Sequence, residues 1–153
     1  MQVSLELLKK LREETSAGVS DCRQALEDAK GDYDKAKKLV EKMGFERASK
    51  KEGRETKAGI IESYIHAGRH VGVLVELQTE TDFVAENEAF RSLGHELALQ
   101  IAAMNPKNVR ELLKSEYIRD TRMTISDLVK STIAKVGENI TIARFTRFAI
   151  GEK

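Results

Sequence analysis

The spacing of the apolar residues first changes near residue 58, and this change limits the folds open to the chain. Before that point apolar residues recur every three or four positions, which is the spacing of an amphipathic helix. After it, Val71, Val73, Val75 and Leu77 alternate with other residues, as in a strand with one buried face. Helices followed by strands and further helices predict an α+β fold built from two modules.

The first module contains three short helical patterns separated by turns that contain glycine. Ser20 is positioned to cap the second helix, and Gly44 is expected to end the third. Short amphipathic helices joined by tight turns predict a compact three-helix bundle over residues 1–45. Cys22 falls on the apolar face of the second helix, which favours a small buried side chain over a reactive thiol.

A charged segment separates the bundle from the second module. Residues 46–57 are dense in charge and have no apolar face, which favours a helical start that fades into a linker. Residues 58–153 then form the second module. It opens with two predicted strands, residues 60–67 and 71–79, joined by a turn that contains glycine.

Two further helices follow the strands. The longer one carries apolar residues at helical spacing from Phe90 to Met104. The other begins at a capping box formed by Thr124 and Asp127, and Gly137 ends it. Together with the strands, these helices predict a small antiparallel sheet packed against helices.

The last predicted strand, residues 139–150, has apolar residues that change face along its length. Ile140 and Ile142 share one face, Phe145 takes the other, and Phe148 and Ile150 return to the first. A bulge near residues 143–144 would reconcile these positions.

Charge and hydropathy exclude several classes of protein. The chain has 26 basic and 25 acidic residues, and this near-balance argues against a general nucleic-acid binder. No apolar run approaches the roughly 18 residues of a membrane span. The first residues mix leucine with charged side chains, unlike a signal peptide, and a single cysteine fits a reducing compartment. The sequence therefore predicts a cytoplasmic protein.

Few residues are arranged as a catalytic or metal site would require. His66, His70 and His95 lack the spacing of a metal motif, so ordinary surface histidines are favoured and no metal is predicted. No glycine-rich phosphate loop is present, so no nucleotide cofactor is expected in this chain. A carboxylate pair drawn from Glu76, Glu80 and Asp82 is conceivable, but no other feature indicates an enzyme.

Residues 79–87 allow two interpretations. If a helix begins at Thr81 or Asp82, Phe83 lies seven positions before Phe90 and on the same buried face. If the helix begins later, with Asn87 as its cap, the residues around Phe83 form a protruding turn that presents an aromatic side chain to a partner. Periodicity alone does not choose between the two.

Four ordered sequence blocks resemble those of the elongation factor Ts family. The second signature of that family is similar to residues 81–87, TDFVAEN. The others are residues 11–18 with 21–26 (LREETSAG, DCRQAL), 71–76 (VGVLVE) and 133–140 (IAKVGENI). Because the blocks keep the family's order and span nearly the whole chain, the chain is identified as a short member of that family.

The resemblance implies a fold and a partner. The bundle is expected to be similar to a ubiquitin-associated domain, and the second module to the family's dimerisation-type core. The family binds elongation factor Tu, both with GDP and free of nucleotide, and promotes GDP release so that GTP can load. No covalent chemistry is implied, so the protein is not expected to be an enzyme.

The resemblance also assigns residues. Phe83 is expected to insert near the magnesium site of the partner, with Asp82 positioning the turn and Thr81 and Val84 completing it. Arg12 matches a position that faces the GTPase domain.

Three departures from the family bear on binding and assembly. Val19 and Ser20 stand where many members have two methionines, which removes an adaptable apolar contact. Thr146 stands where short members have the cysteine of a disulfide-linked dimer. The segment 107–122 looks short for the family. The sequence is compatible with a monomer and with a non-covalent homodimer.

Two other functions compete with this assignment. One is an adaptor whose three-helix module binds a ubiquitin-like or nascent-chain partner. The other is a small hydrolase that uses Glu80 and Asp82. The adaptor would not affect GDP release from elongation factor Tu, and the hydrolase would turn over a substrate by itself.

Overall fold

The computed structural model describes residues 2–152 and begins with three helices. They are α1 (Leu5–Thr15), α2 (Val19–Asp28) and α3 (Tyr33–Lys51). Asp32 caps α3 by accepting a hydrogen bond from the Lys35 N–H at 3.1 Å. Small and aliphatic side chains fill the space between the helices: Leu8, Leu11, Cys22, Ala25, Leu26, Ala29, Ala36 and Val40.

The start of α2 differs from the prediction. Gly18 is the N-cap residue, it has no side chain with which to form a capping bond, and Ser20 lies inside the helix. The prediction that Ser20 caps α2 is therefore wrong. Gly18 takes the extended conformation that an N-cap requires (φ −65°, ψ 154°), so the helix starts at Val19, one residue before Ser20.

Gly44 does not end α3, which continues to Lys51. A Cβ atom placed on Gly44 would lie 3.1 Å from the Ala134 Cβ, so the glycine permits a close approach to a later helix. Ala48, further along α3, is buried in the hydrophobic core of the second module. One helix thus belongs to the bundle at its start and to the second core at its end.

The second module is built on three strands, β1 (Ala58–Ile65), β2 (Val71–Thr79) and β5 (Ile140–Ala149). They form one antiparallel sheet with the order β1-β2-β5. The turn between β1 and β2 contains Gly68 at φ +89°, a conformation that suits glycine. The predicted bounds of β2 are confirmed, whereas β1 begins and ends two residues earlier than predicted.

Helices cover one face of this sheet. After a single turn of helix, α4 (Asp82–Ala85), comes α5 (Glu88–Met104), which packs on β1 and β2. A short helix and hairpin follow, α6 (Val109–Lys114), β3 (Glu116–Tyr117) and β4 (Asp120–Thr124), and then α7 (Ile125–Val136). The architecture confirms the predicted α+β class. The predicted capping box of α7 and its stop at Gly137 are also confirmed.

A bulge interrupts β5, as predicted. Leu77 pairs with Ile142 and Glu76 with Arg144, so Ala143 is the extra residue. Beyond the bulge, however, Phe145 shares the inner face with Ile142. Phe148 and Ile150 lie outside, 74% and 78% exposed. The prediction that these two residues return to the buried face is wrong, because the bulge reverses the face once and nothing reverses it again.

The segment 107–122 has a fixed fold that periodicity did not predict. Gln100 of α5 is completely buried, and its side chain is the anchor. It donates to the Glu116 carbonyl at 2.9 Å and accepts from the Ile118 N–H at 3.0 Å.

Within residues 2–152, no helix combines the length and the apolar character needed to cross a bilayer.

Candidate protein-binding site

Residues 81–84, termed here the 81–84 turn, lie between β2 and α5. Thr81 caps α4 by accepting a hydrogen bond from the Val84 N–H at 3.3 Å. In so short a helix, Val84 and the next residue, Ala85, face inward and are buried. Asp82 and Phe83 therefore face outward.

The exposure of Phe83 decides between the two interpretations of this segment. Asn87 caps α5 by accepting from the Ala89 N–H at 2.8 Å, so the long helix begins after the turn. Phe83 is 86% exposed, whereas Phe90 is completely buried. Phe83 is not part of the core, and the structure agrees with the protruding-turn interpretation.

Glu138, which follows α7, holds the first residue of the turn. One carboxylate oxygen accepts from the Thr81 hydroxyl at 2.8 Å. The other accepts from the Thr81 N–H at 2.9 Å and from the Thr79 hydroxyl at 3.2 Å. Sequence reasoning missed this role. Glu138 lies in the fourth family-like block, but no local pattern links it to a residue 57 positions away.

A second set of contacts joins the end of β2, the start of β5 and the charged segment after α3. Glu80 accepts a hydrogen bond from the Asn139 N–H at 2.9 Å and pairs with Arg54 at 3.4 Å. The side chain of Asn139, which is buried, donates to the Arg54 carbonyl at 2.9 Å. These polar groups are held in structural contacts, which leaves Glu80 poorly placed for the hydrolase alternative.

The N-terminal residues assigned by resemblance lie on either side of the connection between α1 and α2. Arg12 is in the last turn of α1, and Val19 and Ser20 are in the first turn of α2. All three side chains are exposed, Val19 by 43%. An exposed guanidinium and an exposed aliphatic side chain suit a protein partner better than a small ligand.

The remaining candidate residues show ordinary structural roles. Cys22 is fully buried, and burial raises the pKa of its thiol, which confirms the interpretation as a small core residue. His66 is hydrogen-bonded to the Tyr64 hydroxyl at 2.9 Å. In the part of the chain that the structure describes, no three His, Cys, Asp or Glu side chains are grouped as a metal site would require.

A fold with a helical bundle, a small antiparallel sheet and an exposed aromatic turn defines a protein-binding module. The sequence profile of the family described as "Elongation factor TS" matches residues 80–153. The chain is 39% identical to elongation factor Ts of Thermotoga neapolitana, in an alignment that covers all of both chains. It is 38% identical to that of Fervidobacterium nodosum, over 99% of this chain and all of the relative. It is 40% identical to that of Thermotoga maritima, over 99% of this chain and 98% of the relative.

The chain therefore belongs to the elongation factor Ts family, and its role lies in translation elongation. The alignment with the first of these relatives occupies 196 positions, against 153 residues in this chain. The difference is made of positions that this chain lacks, which agrees with its identification as a short member.

Proposed function

We propose that this protein is the guanine-nucleotide exchange factor of elongation factor Tu. In this proposal it binds elongation factor Tu with GDP, promotes GDP release and leaves the nucleotide-free partner ready to load GTP. The observation that carries the proposal is Phe83, an almost fully exposed aromatic side chain on a turn held by its neighbours, in a chain of the elongation factor Ts family. Such a side chain in water is a ready anchor for a partner's pocket.

The mechanism requires no covalent step. Phe83 enters a pocket near the magnesium site of the partner, Asp82 sets the position of the turn, and the displaced partner groups lose contacts with magnesium and phosphate. A protein that prefers nucleotide-free elongation factor Tu binds the GDP form less tightly, and GDP weakens its binding by the same factor. Exchange is accelerated because a high-energy state of the partner is stabilised by binding. The protein in this proposal is therefore a regulator of a GTPase and not an enzyme.

The bundle supplies docking in this proposal. Residues 1–45 bind the GTPase domain of elongation factor Tu through the end that carries Arg12, Val19 and Ser20. Residues 58–153 carry the 81–84 turn, and residues 46–57 join the two parts. Exposure of the three bundle residues supports this division, as does a hydrophobic cluster of the bundle's own. The same function places the protein in the cytoplasm, where translation takes place.

The test is stopped-flow release of a fluorescent GDP analogue from elongation factor Tu, with and without this protein. Acceleration that saturates with protein concentration is the expected result. Unchanged release combined with binding to elongation factor Tu would contradict exchange. Unchanged release without binding would favour the adaptor alternative.

We also propose that any self-association is a non-covalent homodimer formed through β5. This strand lies at one edge of the sheet, and Phe148 is exposed on its outer face. An uncovered edge strand with exposed apolar side chains invites pairing with a second copy. A disulfide is not available, since the only cysteine, Cys22, is buried.

Light scattering tests the homodimer. Phe148→Lys should dissociate a dimer without unfolding the protein, because Phe148 is outside the core. Leu5→Lys, an equally large change at a side chain 69% exposed in the bundle, should leave the dimer intact. A dimer that separates only in reductant would contradict the non-covalent contact.

A further inference from the structure

We propose that Glu138 is a positioning residue for exchange, which acts by fixing the 81–84 turn in the orientation that presents Phe83. The inference rests on the proposed function, because it assumes that Phe83 is the group that enters the partner. It adds a residue that belongs to neither set of site residues assigned by family resemblance. Glu138 follows the C-cap of α7, far along the chain from the turn it holds.

Glu138 accepts three hydrogen bonds, one from the Thr79 hydroxyl at 3.2 Å and two from Thr81. Its two carboxylate oxygens accept from the hydroxyl and from the backbone N–H of Thr81, at 2.8 and 2.9 Å. The Thr81 hydroxyl oxygen in turn accepts from the Val84 N–H at 3.3 Å. The carboxylate, the capping hydroxyl and the far end of the turn are thus connected through one side chain. Hydrogen bonds to a charged acceptor are also stronger than neutral ones.

The turn needs such support because it is a single helical turn. Helices of this length are unstable by themselves, since too few hydrogen bonds offset the cost of ordering the backbone. The inward-facing Val84 and Ala85 hold one side of α4. Glu138 holds the N-cap residue of α4, Thr81. The exposed Phe83 therefore lies on a segment that is held at two places.

A neighbouring pair of residues, Glu80 and Asn139, connects the turn to the segment that follows α3. Glu80, next to Thr81, accepts from the N–H of Asn139, next to Glu138. The Asn139 side chain donates to the carbonyl of Arg54. The base of the turn is therefore tied both to the start of β5 and to the connection from the bundle. Removal of Glu138 should loosen the turn while Glu80 and Asn139 keep the strands in register.

The closing experiment is a double-mutant cycle in the GDP-release assay, with the full-length protein. Glu138→Ala should lower the maximal rate of GDP release by roughly tenfold, because a misplacement of about 1 Å costs up to about 100-fold in rate. The protein concentration at half-maximal rate should change by less than about threefold, because docking is untouched. Glu138→Gln should restore most of the rate, since an amide oxygen still accepts from the Thr81 N–H and the amide N–H₂ can donate to the Thr81 hydroxyl.

The second arm of the cycle removes Phe83. In a Phe83→Ala background, Glu138→Ala should have no further effect, because the side chain to be positioned is gone. Additive losses would overturn the proposal, and so would a Glu138→Ala protein with the wild-type rate. If Phe83→Ala itself exchanges like the wild type, the proposed role of Phe83 fails instead, and the two failures are distinguished.

Controls separate positioning from general stability. Glu96 is a similarly half-buried glutamate that accepts from the Tyr117 hydroxyl at 2.6 Å and pairs with Arg119 at 2.8 Å. Glu96→Ala should lower the melting temperature without lowering the maximal rate. If Glu138→Ala does not fold, Glu138→Asp provides the same readout, because its retracted carboxylate cannot reach both donors of Thr81. A Glu138→Asp protein that is folded and fully active would overturn the proposal.

Discussion

The two hydrophobic cores of this protein are built in different ways. The core of the bundle is made from neighbouring helices within about forty residues of chain, and its fully buried members are aliphatic side chains and Cys22. The core of the second module surrounds Phe90 and draws on β2, α5, α7 and β5, which are distant in sequence. The positions of the exposed residues on the bundle are therefore set by contacts between helices that are close in sequence. The 81–84 turn, in contrast, depends on a contact across 57 positions.

The two cores are not independent, because α3 contributes to both. Its early residues, Ala36 and Val40, complete the bundle, and Ala48 completes the second core. The close approach of Gly44 to Ala134 lies between them. Truncation of the chain after α3 therefore removes part of the second core together with the bundle. The predicted boundary at residue 45 does not take this shared helix into account.

The largest effect is expected from removal of the bundle. A variant that begins at Asp32 keeps all of α3 but loses Arg12, Val19 and Ser20. The concentration needed for half-maximal GDP release should rise by roughly 100- to 1,000-fold, equivalent to about 3–4 kcal/mol, because several contact residues are lost together. The maximal rate should stay close to that of the full chain. Titration in the stopped-flow assay measures both quantities.

A second variant that begins at Lys57 provides the comparison. It should show the same loss of affinity and, in addition, a lower melting temperature, because the site that Ala48 occupies is uncovered. Binding of either shortened protein as tight as that of the full chain would disprove docking by the bundle.

The next effect contrasts two phenylalanines on either side of the start of α5. Phe83→Ala should slow catalysed GDP release by roughly 10- to 150-fold, the equivalent of the about 1.5–3 kcal/mol gained when such a side chain is buried. Its melting temperature should be nearly unchanged, because Phe83 is exposed. Phe90→Ala should instead destabilise the protein by about 3–5 kcal/mol. A Phe83→Ala protein that unfolds easily but exchanges normally would contradict the protruding turn.

The sequence predicted what local patterns determine. The capping box at Thr124, the bounds of β2 and the bulge in β5 each follow from residues within a few positions of one another. The sequence left the placement of Phe83 open, also for a local reason. Both Thr81 and Asn87 are good caps, and in the structure each one caps a helix, so periodicity could not show which helix Phe83 would join.

Two positions could not be predicted because their contacts are not contained in local patterns. A glycine at the end of an apolar helical repeat resembles a stop signal. In the structure Gly44 lies inside α3, and Ala134, from a segment far along the chain, packs closely against it. Glu138 was unassigned for the same reason, since its partner Thr81 becomes a neighbour only after β2 and β5 pair. Tertiary neighbours, and not residue preferences, decided these positions.

The contact at Gly44 predicts a smaller effect, limited to stability. Gly44→Val places a branched side chain where even a single Cβ would be 3.1 Å from Ala134. Overpacking of this kind costs about 1–3 kcal/mol. Urea denaturation should show the loss, and Gly44→Val with Ala134→Gly should recover part of it. A fully stable Gly44→Val protein would show that α3 and α7 are separated more easily than the contact suggests.

The smallest effect concerns the ion pair that joins α2 to the last part of α3. Arg47 donates two hydrogen bonds to the Asp21 carboxylate, and these lower the pKa of Asp21 below its ordinary value of 3.8. A carboxyl group with a lowered pKa in the folded state stabilises the protein above its ordinary pKa, and this contribution is lost as the pH falls through the lowered value. Because the Arg47 side chain is 54% exposed, the pair should contribute less than about 1 kcal/mol.

A double-mutant cycle with Asp21→Asn and Arg47→Gln isolates this contribution from the effect of Asp21 on the N-terminus of α2. The coupling free energy from urea denaturation should be positive but small at pH 7, and it should shrink below about pH 4 as Asp21 takes up a proton. High salt should weaken it as well, because the pair is partly exposed. A coupling that grows at acid pH would have the wrong sign for a lowered pKa. A coupling of several kcal/mol would contradict the small contribution expected of a partly exposed pair.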